Sequence, residues 1–350
     1  MSLRTITILL VLATTTTITY ADNNNVNVLQ TSTPLHVDGL VAATFTPFDA
    51  DFKIDTSMVQ EQAAYLNATG VKYVFVSGTT GESVKLSTTE RLSQAKLWVQ
   101  LAKQYNLKTI IHVGADCLED AKMMASNAVE IGADAVAAMP PSFFKPATIP
   151  ALVAFMSAIA NEASSLPFYY YHIPSMDGVI FPMFDFVSGM NENGAKNFAG
   201  VKYTGLYQYP GFMDAARILG GFNGKYEVLC GRDEMMIEAL AAGIKGFVGS
   251  QYNFAGDVYN QIREAFGKND LSTARKIQLN AINLLQVGAS SLGKAQNGMK
   301  AIMNLAVKVG EARLPNLPLD DGMKSTIKTG VQNWCTNEGN AISAKICSEL

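Results

Sequence analysis

The sequence predicts an α/β fold, a (β/α)8 TIM barrel with additional C-terminal helices. From residue 39 onward, short β-branched or aromatic runs alternate with segments of helix length. Eight such units occupy about 230 residues, which is the number that closes a barrel of this type. The predicted strands are near-continuous apolar runs, as expected for parallel strands that are covered on both faces. An open doubly wound sheet is the alternative, but Thr44-Phe45-Thr46-Pro47 after the first strand is not a glycine-rich phosphate turn.

The predicted elements follow one another from residue 39 to residue 334. The strands are Leu40–Thr46, Tyr73–Ser77, Thr109–Gly114, Ala135–Met139, Phe168–Ile173, Ala199–Thr204, Glu227–Gly231 and Gly246–Ser250. The helical patterns between them are Ser57–Ala68, Thr88–Tyr105, Leu118–Ile131, Ile149–Ala163, Asp214–Leu219, Glu234–Ala242 and Phe254–Phe266. Residues 39–269 therefore form the predicted barrel. Residues 270–334 form a helical extension that includes Ser272–Gln286 and Lys294–Val309, and residues 335–350 form a tail.

The composition is that of a globular chain with a sizeable core. Hydrophobic residues make up 48% of the sequence and charged residues 16%, with a mean hydropathy of +0.12. A disordered chain requires low hydrophobicity and high net charge, so that class is excluded. The net charge of −3 and the pI near 5.7 provide no basic surface for nucleic acid.

The N-terminus has the composition of a secretory signal peptide over residues 1–21. A single positive charge precedes a short apolar stretch, and Thr19-Tyr20-Ala21 offers small residues where a signal peptidase reads. The apolar stretch is shorter than the roughly 20 residues that span a bilayer. We therefore expect a secreted or secretory-pathway protein with no membrane segment after cleavage, and a flexible lead-in over residues 22–38. A buried N-terminal helix in a cytoplasmic protein is the alternative.

Four cysteines are too few for a disulfide scaffold at this length. Cys117 and Cys230 lie in apolar surroundings that are typical of inert core thiols. Cys335 and Cys347 flank the polar tail, and a secreted protein permits a bridge between them. The sequence leaves that pairing open.

Active sites of such barrels lie at the carboxyl ends of the strands. After the second strand, Gly78-Thr79-Thr80-Gly81-Glu82 is a glycine-flanked hydroxyl pair whose backbone N–H groups can bind an anion. A plain turn with satisfied threonines is the alternative. Ser87 and Glu90 then form a capping box for the next helix.

The fifth and sixth strands carry a tyrosine and a lysine near their ends. Alternation places Tyr169 and Tyr171 on one face of the fifth strand, so that His172 faces the other way if Tyr171 faces inward. Lys202 lies in an otherwise apolar strand, where a lysine is costly unless it is neutral, paired or functional. Desolvation lowers the pKa of a lysine, and a neutral amine forms a Schiff base with a carbonyl substrate. Snorkelling of Lys202 to solvent is the alternative.

Small and acidic residues end the last two strands. Gly231-Arg232-Asp233-Glu234 opens a helix, where Asp233 is also a good N-cap and Glu234 suits the helix dipole. Ser250 places a hydroxyl after the eighth strand. No pair of His or Cys at ligand spacing indicates a metal site.

Three of these motifs together resemble those of a known family. They are Gly78-Thr79-Thr80-Gly81-Glu82, the tyrosine before His172-Ile173-Pro174, and the lysine of Gly200-Val201-Lys202. In this order they are similar to the pyruvate-dependent class I aldolases that include N-acetylneuraminate lyases and dihydrodipicolinate synthases. The resemblance runs from about Gly39 to about Pro318.

The resemblance implies a role for each of the residues in the three motifs. Lys202 would form the Schiff base with the 2-oxo group of the substrate, and Tyr171 would relay the proton at the reacting centre. Thr79 and Thr80 would hold the substrate carboxylate. The resemblance implies no separate cofactor, because the covalent imine itself draws electrons from the carbon–carbon bond.

Residues around the sugar end favour the lyase branch of the family, and the animal-type lyases in particular. The chain is similar to the lyases in the residues that would bind the polyol hydroxyls, which are Thr204, Gly231, Asp233, Glu234 and Ser250. Met176 stands where the synthase branch has an arginine, and Phe143-Phe144 where it has a tyrosine pair. Asp177 departs from the Thr or Ser that is usual in lyases.

The expected partners are therefore small molecules, namely sialic acid, pyruvate and N-acetylmannosamine, and the family implies a homotetramer or homodimer. Two alternatives remain open. The chain can act on another acceptor, as a 2-keto-3-deoxy-sugar acid or 4-hydroxy-2-oxoglutarate aldolase, or it can be a secreted sugar-binding barrel without catalysis.

Overall fold

A computed structural model describes residues 35–205, 211–289, 295–336 and 344–350. The predicted signal segment and the lead-in up to residue 34 lie outside the described residues. The carboxyl end of the predicted lead-in, residues 35–38, directly precedes the first strand.

Eight parallel strands form a closed barrel in chain order, which confirms the predicted fold class. Strand β1 pairs with both β2 and β8 and so closes the sheet. The predicted residues beyond the observed strand ends, such as Thr204 and Ser250, lie in the loops at the mouth of the barrel. The strands are β1 Gly39–Ala43, β2 Tyr73–Val76, β3 Lys108–His112, β4 Ala135–Ala138, β5 Phe168–His172, β6 Phe198–Tyr203, β7 Glu227–Cys230 and β8 Gly246–Gly249.

Helices follow the strands and continue beyond the barrel. They are α1 Thr56–Ala68, α2 Thr88–Gln104, α3 Leu118–Glu130, α4 Ile149–Glu162, α5 Pro174–Asp177, α6 Met183–Asn193, α7 Gly211–Gly220, α8 Met236–Ala241, α9 Tyr252–Gly267, α10 Leu271–Ala289, α11 Ala295–Met303 and α12 Asp321–Thr336. Helix α6 was not predicted, although its buried Met183, Phe186, Val187 and Met190 have the i, i+3, i+4, i+7 spacing of a helix. The predicted capping box at the start of α2 is present, with Ser87 and Glu90 bonded reciprocally.

The core has two layers, and the strand alternation assigns residues to each. The barrel interior contains Tyr169 and Tyr171 together with Phe75 and other apolar side chains. The layer between the barrel and the helices contains Tyr170 and Tyr203. The side chains of β5 therefore alternate as predicted, with Tyr169 and Tyr171 inside the barrel and Tyr170 outside it.

The C-terminal extension packs on the barrel helices and on itself. Helix α10 lies against α9, and α11 and α12 lie against α10. A disulfide joins Cys335 in α12 to Cys347, which settles the pairing that the sequence left open. The backbone N–H of Lys345 donates to Asp257 of α9, so the tail is attached to the outside of the barrel. Within the described ranges, no helix is long and apolar enough to cross a membrane.

Candidate active site

Tyr171 and Lys202 lie side by side on neighbouring strands. They are paired residues in the β5–β6 register, and the Nζ of Lys202 lies 3.6 Å from the centroid of the Tyr171 ring. The β5–β6 register shifts between Phe168 and Tyr169, where Gly200 has a φ of 157°. A Cβ at Gly200 would overlap the backbone carbonyl of Glu227, so only glycine fits there. The register of the reactive pair thus depends on a glycine two residues before the lysine.

Lys202 is buried in the barrel interior, with 4% of its surface exposed. Burial lowers the pKa of its amine to about 7, and the nearby carboxylate of Asp233 partly opposes that shift. An amine with this pKa is unprotonated in a substantial fraction at neutral pH, and the unprotonated form is the nucleophile. Lys202 therefore does not snorkel to solvent and has the environment of a Schiff-base lysine.

The Tyr171 phenol connects the lysine to the turn after β2. Its hydroxyl is hydrogen-bonded to the Thr79 hydroxyl at 3.1 Å. Burial raises the pKa of Tyr171 to about 12, so the phenol is protonated at neutral pH. A protonated phenol bonded to a second hydroxyl can accept one proton while it passes on another, which is the requirement for a proton relay.

The turn over residues 78–82 faces the mouth of the barrel with hydroxyls and amides. The Thr80 hydroxyl is hydrogen-bonded to the Ser250 hydroxyl at 2.6 Å, which links the loops after β2 and β8. In the part of the chain that the structure describes, the backbone N–H groups of Thr79 and Thr80 donate to no protein acceptor. Free N–H groups and hydroxyls in one turn are an arrangement that binds a carboxylate.

Asp233 follows β7, and its carboxylate lies against the end of β8. It does not cap the following helix, as its sequence position allowed, because its carboxylate accepts a hydrogen bond from the backbone N–H of Gln251 at 2.8 Å. Burial raises the pKa of Asp233 to about 7. A Cβ at Gly249 would overlap the Asp233 carboxylate, so the glycine at the end of β8 makes room for it.

The other predicted sugar-binding residues lie around the ends of β6 and β7. The Thr204 hydroxyl donates to the backbone carbonyl of His172 at 2.8 Å. Its oxygen can therefore still accept a hydrogen bond, but its proton is already used. Gly231 lies against Thr204, where a Cβ would contact the threonine methyl at 2.7 Å. Glu234 is half-exposed, with Oε1 3.8 Å from Arg232 NH1. The structure brings these residues to one side of the mouth, and their contacts with a sugar remain a prediction.

His172 faces away from the reactive pair, as the alternation predicted. Its ring packs edge-to-face against Tyr203 at 4.7 Å, in the layer outside the barrel. Burial lowers the pKa of His172 to about 4, so the ring is neutral at physiological pH. A neutral histidine outside the barrel is a packing residue rather than a general base.

A cavity of about 410 Å³ opens beside Thr79 and extends over the loops after β2 to β5. Asp177 lies on its wall and is buried, with Oδ1 accepting from the backbone N–H of Val179 at 2.8 Å. Burial raises the pKa of this carboxyl to about 6. The residue that departs from the usual lyase pattern is therefore beside the site.

Two residues of the C-terminal extension that reach the site were not predicted from the sequence. Gln296 of α11 donates from Nε2 to the backbone carbonyl of Thr80 at 2.7 Å. Lys300, one turn further along α11, is fully buried and forms an ion pair with Glu82 at 3.0 Å. Lys300 lies one residue from the buried Met299 and near the buried Ile302 and Met303. A lysine among apolar residues of a helix is unusual, and this was the signal in the sequence that could have identified Lys300.

A buried lysine of lowered pKa beside a protonated tyrosine, at the mouth of a (β/α)8 barrel, defines a class I aldolase. The chain matches the dihydrodipicolinate synthetase family over residues 36–334 and belongs to it. It is 39% identical over 284 residues to the N-acetylneuraminate lyase of Gallus gallus, covering 80% of this chain and 90% of that one.

Solved structures agree with this assignment. The Proteus mirabilis N-acetylneuraminate lyase matches with a TM-score of 0.80 and 32% identity, over 85% of this chain and 98% of that one. The lyase from Aliivibrio salmonicida matches with a TM-score of 0.80 and 33% identity, over 85% and 97%.

Proposed function

We infer that this protein is an enzyme that cleaves N-acetylneuraminate reversibly to N-acetylmannosamine and pyruvate through a Schiff base at Lys202. The observation that carries the inference is the buried Lys202 amine, whose pKa is about 7, beside the Tyr171 phenol that is bonded to Thr79. The N-acetylneuraminate lyases of Gallus gallus and Proteus mirabilis, which match over most of the chain, support the same reaction.

The reaction begins when the unprotonated Lys202 amine attacks C2 of the open-chain sugar acid and loses water to form an iminium ion. The Tyr171 phenol takes the proton of the 4-hydroxyl while it passes its own proton on. The C3–C4 bond breaks, its electron pair moves into an enamine, and N-acetylmannosamine leaves as the aldehyde. Protonation of C3 and hydrolysis then release pyruvate and regenerate the amine. The iminium is the electron sink, so we propose that the enzyme needs no other cofactor.

We propose that the two sides of the mouth bind the two ends of the substrate. Thr79 and Thr80 hold the carboxylate through hydroxyls and free backbone N–H groups. The polyol hydroxyls are held on the other side by the side chains or backbone of Thr204, Gly231, Asp233, Glu234 and Ser250. Ser250 is bonded to Thr80 and so lies between the two subsites.

The test is pyruvate release from N-acetylneuraminate, followed by a coupled lactate dehydrogenase assay. The wild-type chain should release pyruvate, and a Lys202→Met variant of the same length and shape should release none. Borohydride added with pyruvate should increase the mass of the peptide that contains Lys202, and only in the wild type. A wild type that binds sialic acid without turnover would point to the sugar-binding barrel. Faster turnover of 2-keto-3-deoxy-sugar acids or 4-hydroxy-2-oxoglutarate would favour another acceptor.

We also propose that the protein passes through the secretory pathway. The residues that support this are the signal-like segment 1–21 and the disulfide between Cys335 and Cys347, a bond that persists in oxidising compartments. Expression with the native N-terminus in a eukaryotic cell should deliver a chain that begins near residue 22 to the medium. Retention of an intact N-terminus in the cytosol would contradict the proposal.

We propose that the barrels associate as a homodimer or homotetramer. Phe143 and Phe144 in the loop after β4 are 78% and 86% exposed, and their rings contact each other at 5.0 Å. Met176 in α5 is also exposed. Contiguous exposed apolar patches mark protein contacts, and we propose that these residues belong to one. Light scattering after size exclusion should give a multiple of the monomer mass, and Phe143→Ser with Phe144→Ser should lower it.

A further inference from the structure

The turn after β2 has a backbone that requires outside support. Ser77 has a φ of 56° and Glu82 a φ of 60°, so both ends of the turn are left-handed at residues other than glycine. Such conformations persist only where the surroundings fix them. Two of the three partners of the Glu82 carboxylate, Lys300 and the backbone N–H of Arg313, belong to the C-terminal extension, and the third is Lys85.

Lys300 of α11 is the centre of this support. Its ammonium group pairs with Glu82 Oε1 at 3.0 Å and donates to the backbone carbonyls of Thr46 at 2.8 Å and Glu311 at 3.1 Å. The Lys300 side chain is fully buried, and its Nζ lies 4.4 Å from the centroid of the Phe48 ring. One ammonium group therefore joins the loops after β1 and β2 to the extension.

Three further contacts complete the support. The backbone N–H of Arg313 and the Lys85 ammonium group both donate to Glu82 Oε2, each at 3.0 Å. Gln296 donates to the carbonyl of Thr80 and so fixes the peptide plane between Thr80 and Gly81, inside the turn. Lys85, Lys300 and Arg313 face Glu82 and Glu90, so the group behind the turn carries an excess positive charge, which favours an anion in front of it.

We propose that α11 is the element that sets the turn at residues 78–82 for recognition of the substrate carboxylate, with Lys300 and Gln296 as positioning residues. Neither residue touches the 2-oxo group, and both act through the turn. The inference rests on the proposed function, since it assigns the carboxylate to Thr79 and Thr80. It adds that affinity for this carboxylate is controlled by a helix outside the barrel.

The test compares two small 2-oxo probes that differ in one group. Pyruvate has the carboxylate and pyruvamide has a neutral amide, and both can be trapped at Lys202 by borohydride and measured by mass. For Lys300→Met, the half-saturating pyruvate concentration should rise about tenfold, as for loss of a charged hydrogen-bond partner, while that of pyruvamide stays within about twofold. For Gln296→Leu the same selective shift should be smaller. Turnover at saturating pyruvate in the condensation direction should change little, because Lys202 and Tyr171 are untouched.

The controls separate positioning from simple destabilisation. Lys308→Met removes an exposed lysine of the same extension and should leave both probes unchanged. Gln296 is only half-buried, so Gln296→Leu decides the question if Lys300→Met does not fold. An equal shift for pyruvate and pyruvamide, or no shift for either, would overturn the proposal. A wild type that traps neither probe would overturn the aldolase mechanism itself, and with it this inference.

Discussion

At the scale of single residues, burial shifts the pKa values of both Lys202 and Asp233. Burial lowers the pKa of Lys202 to about 7 and raises that of Asp233 to about 7, because each charged form is penalised in the interior. The mutual attraction of their charges partly opposes both shifts. The amine is thus available as a nucleophile near neutral pH, and the carboxylate that accompanies it keeps the pKa from falling further.

The pH dependence of imine formation should show this coupling. Only the unprotonated Lys202 amine attacks, so the rate of pyruvate trapping by borohydride should rise with pH through about 7, the pKa of Lys202. Asp233→Asn removes the charge that raises this pKa, so the rise should move to lower pH. Glu234→Gln is the control, because Glu234 is half-exposed and does not perturb Lys202. An unchanged profile in Asp233→Asn would show that burial alone sets the pKa.

Removal of the Tyr171 hydroxyl should separate proton transfer from imine formation. Tyr171→Phe keeps the ring against Lys202 and deletes the bond to Thr79. Cleavage of N-acetylneuraminate should slow by about 10²–10⁴-fold, the usual contribution of a positioned acid–base group. Borohydride should still trap pyruvate on Lys202. Equal losses in trapping and cleavage would instead assign Tyr171 to imine formation.

At the scale of elements, much of the architecture was readable from the sequence because parallel strands are apolar on both faces. All eight strands lie where the apolar runs placed them. Lys202 was conspicuous in the sequence because a lysine inside an apolar strand is rare, whereas the catalytic roles of Lys202 and Tyr171 came only from the family resemblance and stay predictions. Helix α6 was missed, although its apolar spacing is helical. A lysine on the apolar face of α11 was a signal in the sequence, but its partner was not accessible, because the ion pair between Lys300 and Glu82 joins residues far apart in sequence.

Glycine at the end of β8 is an element-scale requirement of the sugar side. A Cβ at Gly249 would overlap the Asp233 carboxylate and push it from the backbone N–H of Gln251. We expect Gly249→Ala to fold but to lower kcat/KM for N-acetylneuraminate by about 10- to 100-fold, the range for one charged hydrogen bond. Gly267→Ala is the matched control, since a Cβ there contacts nothing within 4 Å. The test measures kcat/KM for N-acetylneuraminate in both variants, and circular dichroism checks that both are folded. Equal activity in the two would show that Asp233 tolerates displacement.

At the scale of the whole molecule, the C-terminal extension serves two separate sides of the barrel. Helix α11 reaches the mouth through Gln296 and Lys300, whereas the tail after α12 lies against α9 through Lys345 and Asp257. The disulfide belongs to the second side only. Its pairing could not be derived from the sequence, because the distance between the two thiols depends on how α12 and the tail fold. Catalysis at the mouth of the barrel should therefore not depend on the disulfide in the tail.

Removal of the disulfide should loosen the tail without affecting catalysis. Cys335 and Cys347 are 12 residues apart, and a loop of that size is worth about 3 kcal/mol in the chain-entropy account of disulfides. In the double variant Cys335→Ser, Cys347→Ser, the backbone amides at positions 345 and 347 should exchange about 100-fold faster than in the oxidised protein, by conversion of that free energy. Their partners are the Asp257 carboxylate and the Ala344 carbonyl.

The same variant should retain the wild-type rate of N-acetylneuraminate cleavage and the same hydrogen exchange in the barrel strands, because the described residues of the tail pack against the outer helices α9 and α12. Hydrogen exchange followed by mass spectrometry, with pyruvate release measured on the same samples, tests both statements. A parallel loss of strand protection and activity would mean that the tail and the barrel unfold as one cooperative unit. The oxidising compartment would then be a condition for an active enzyme, and not only for an anchored tail.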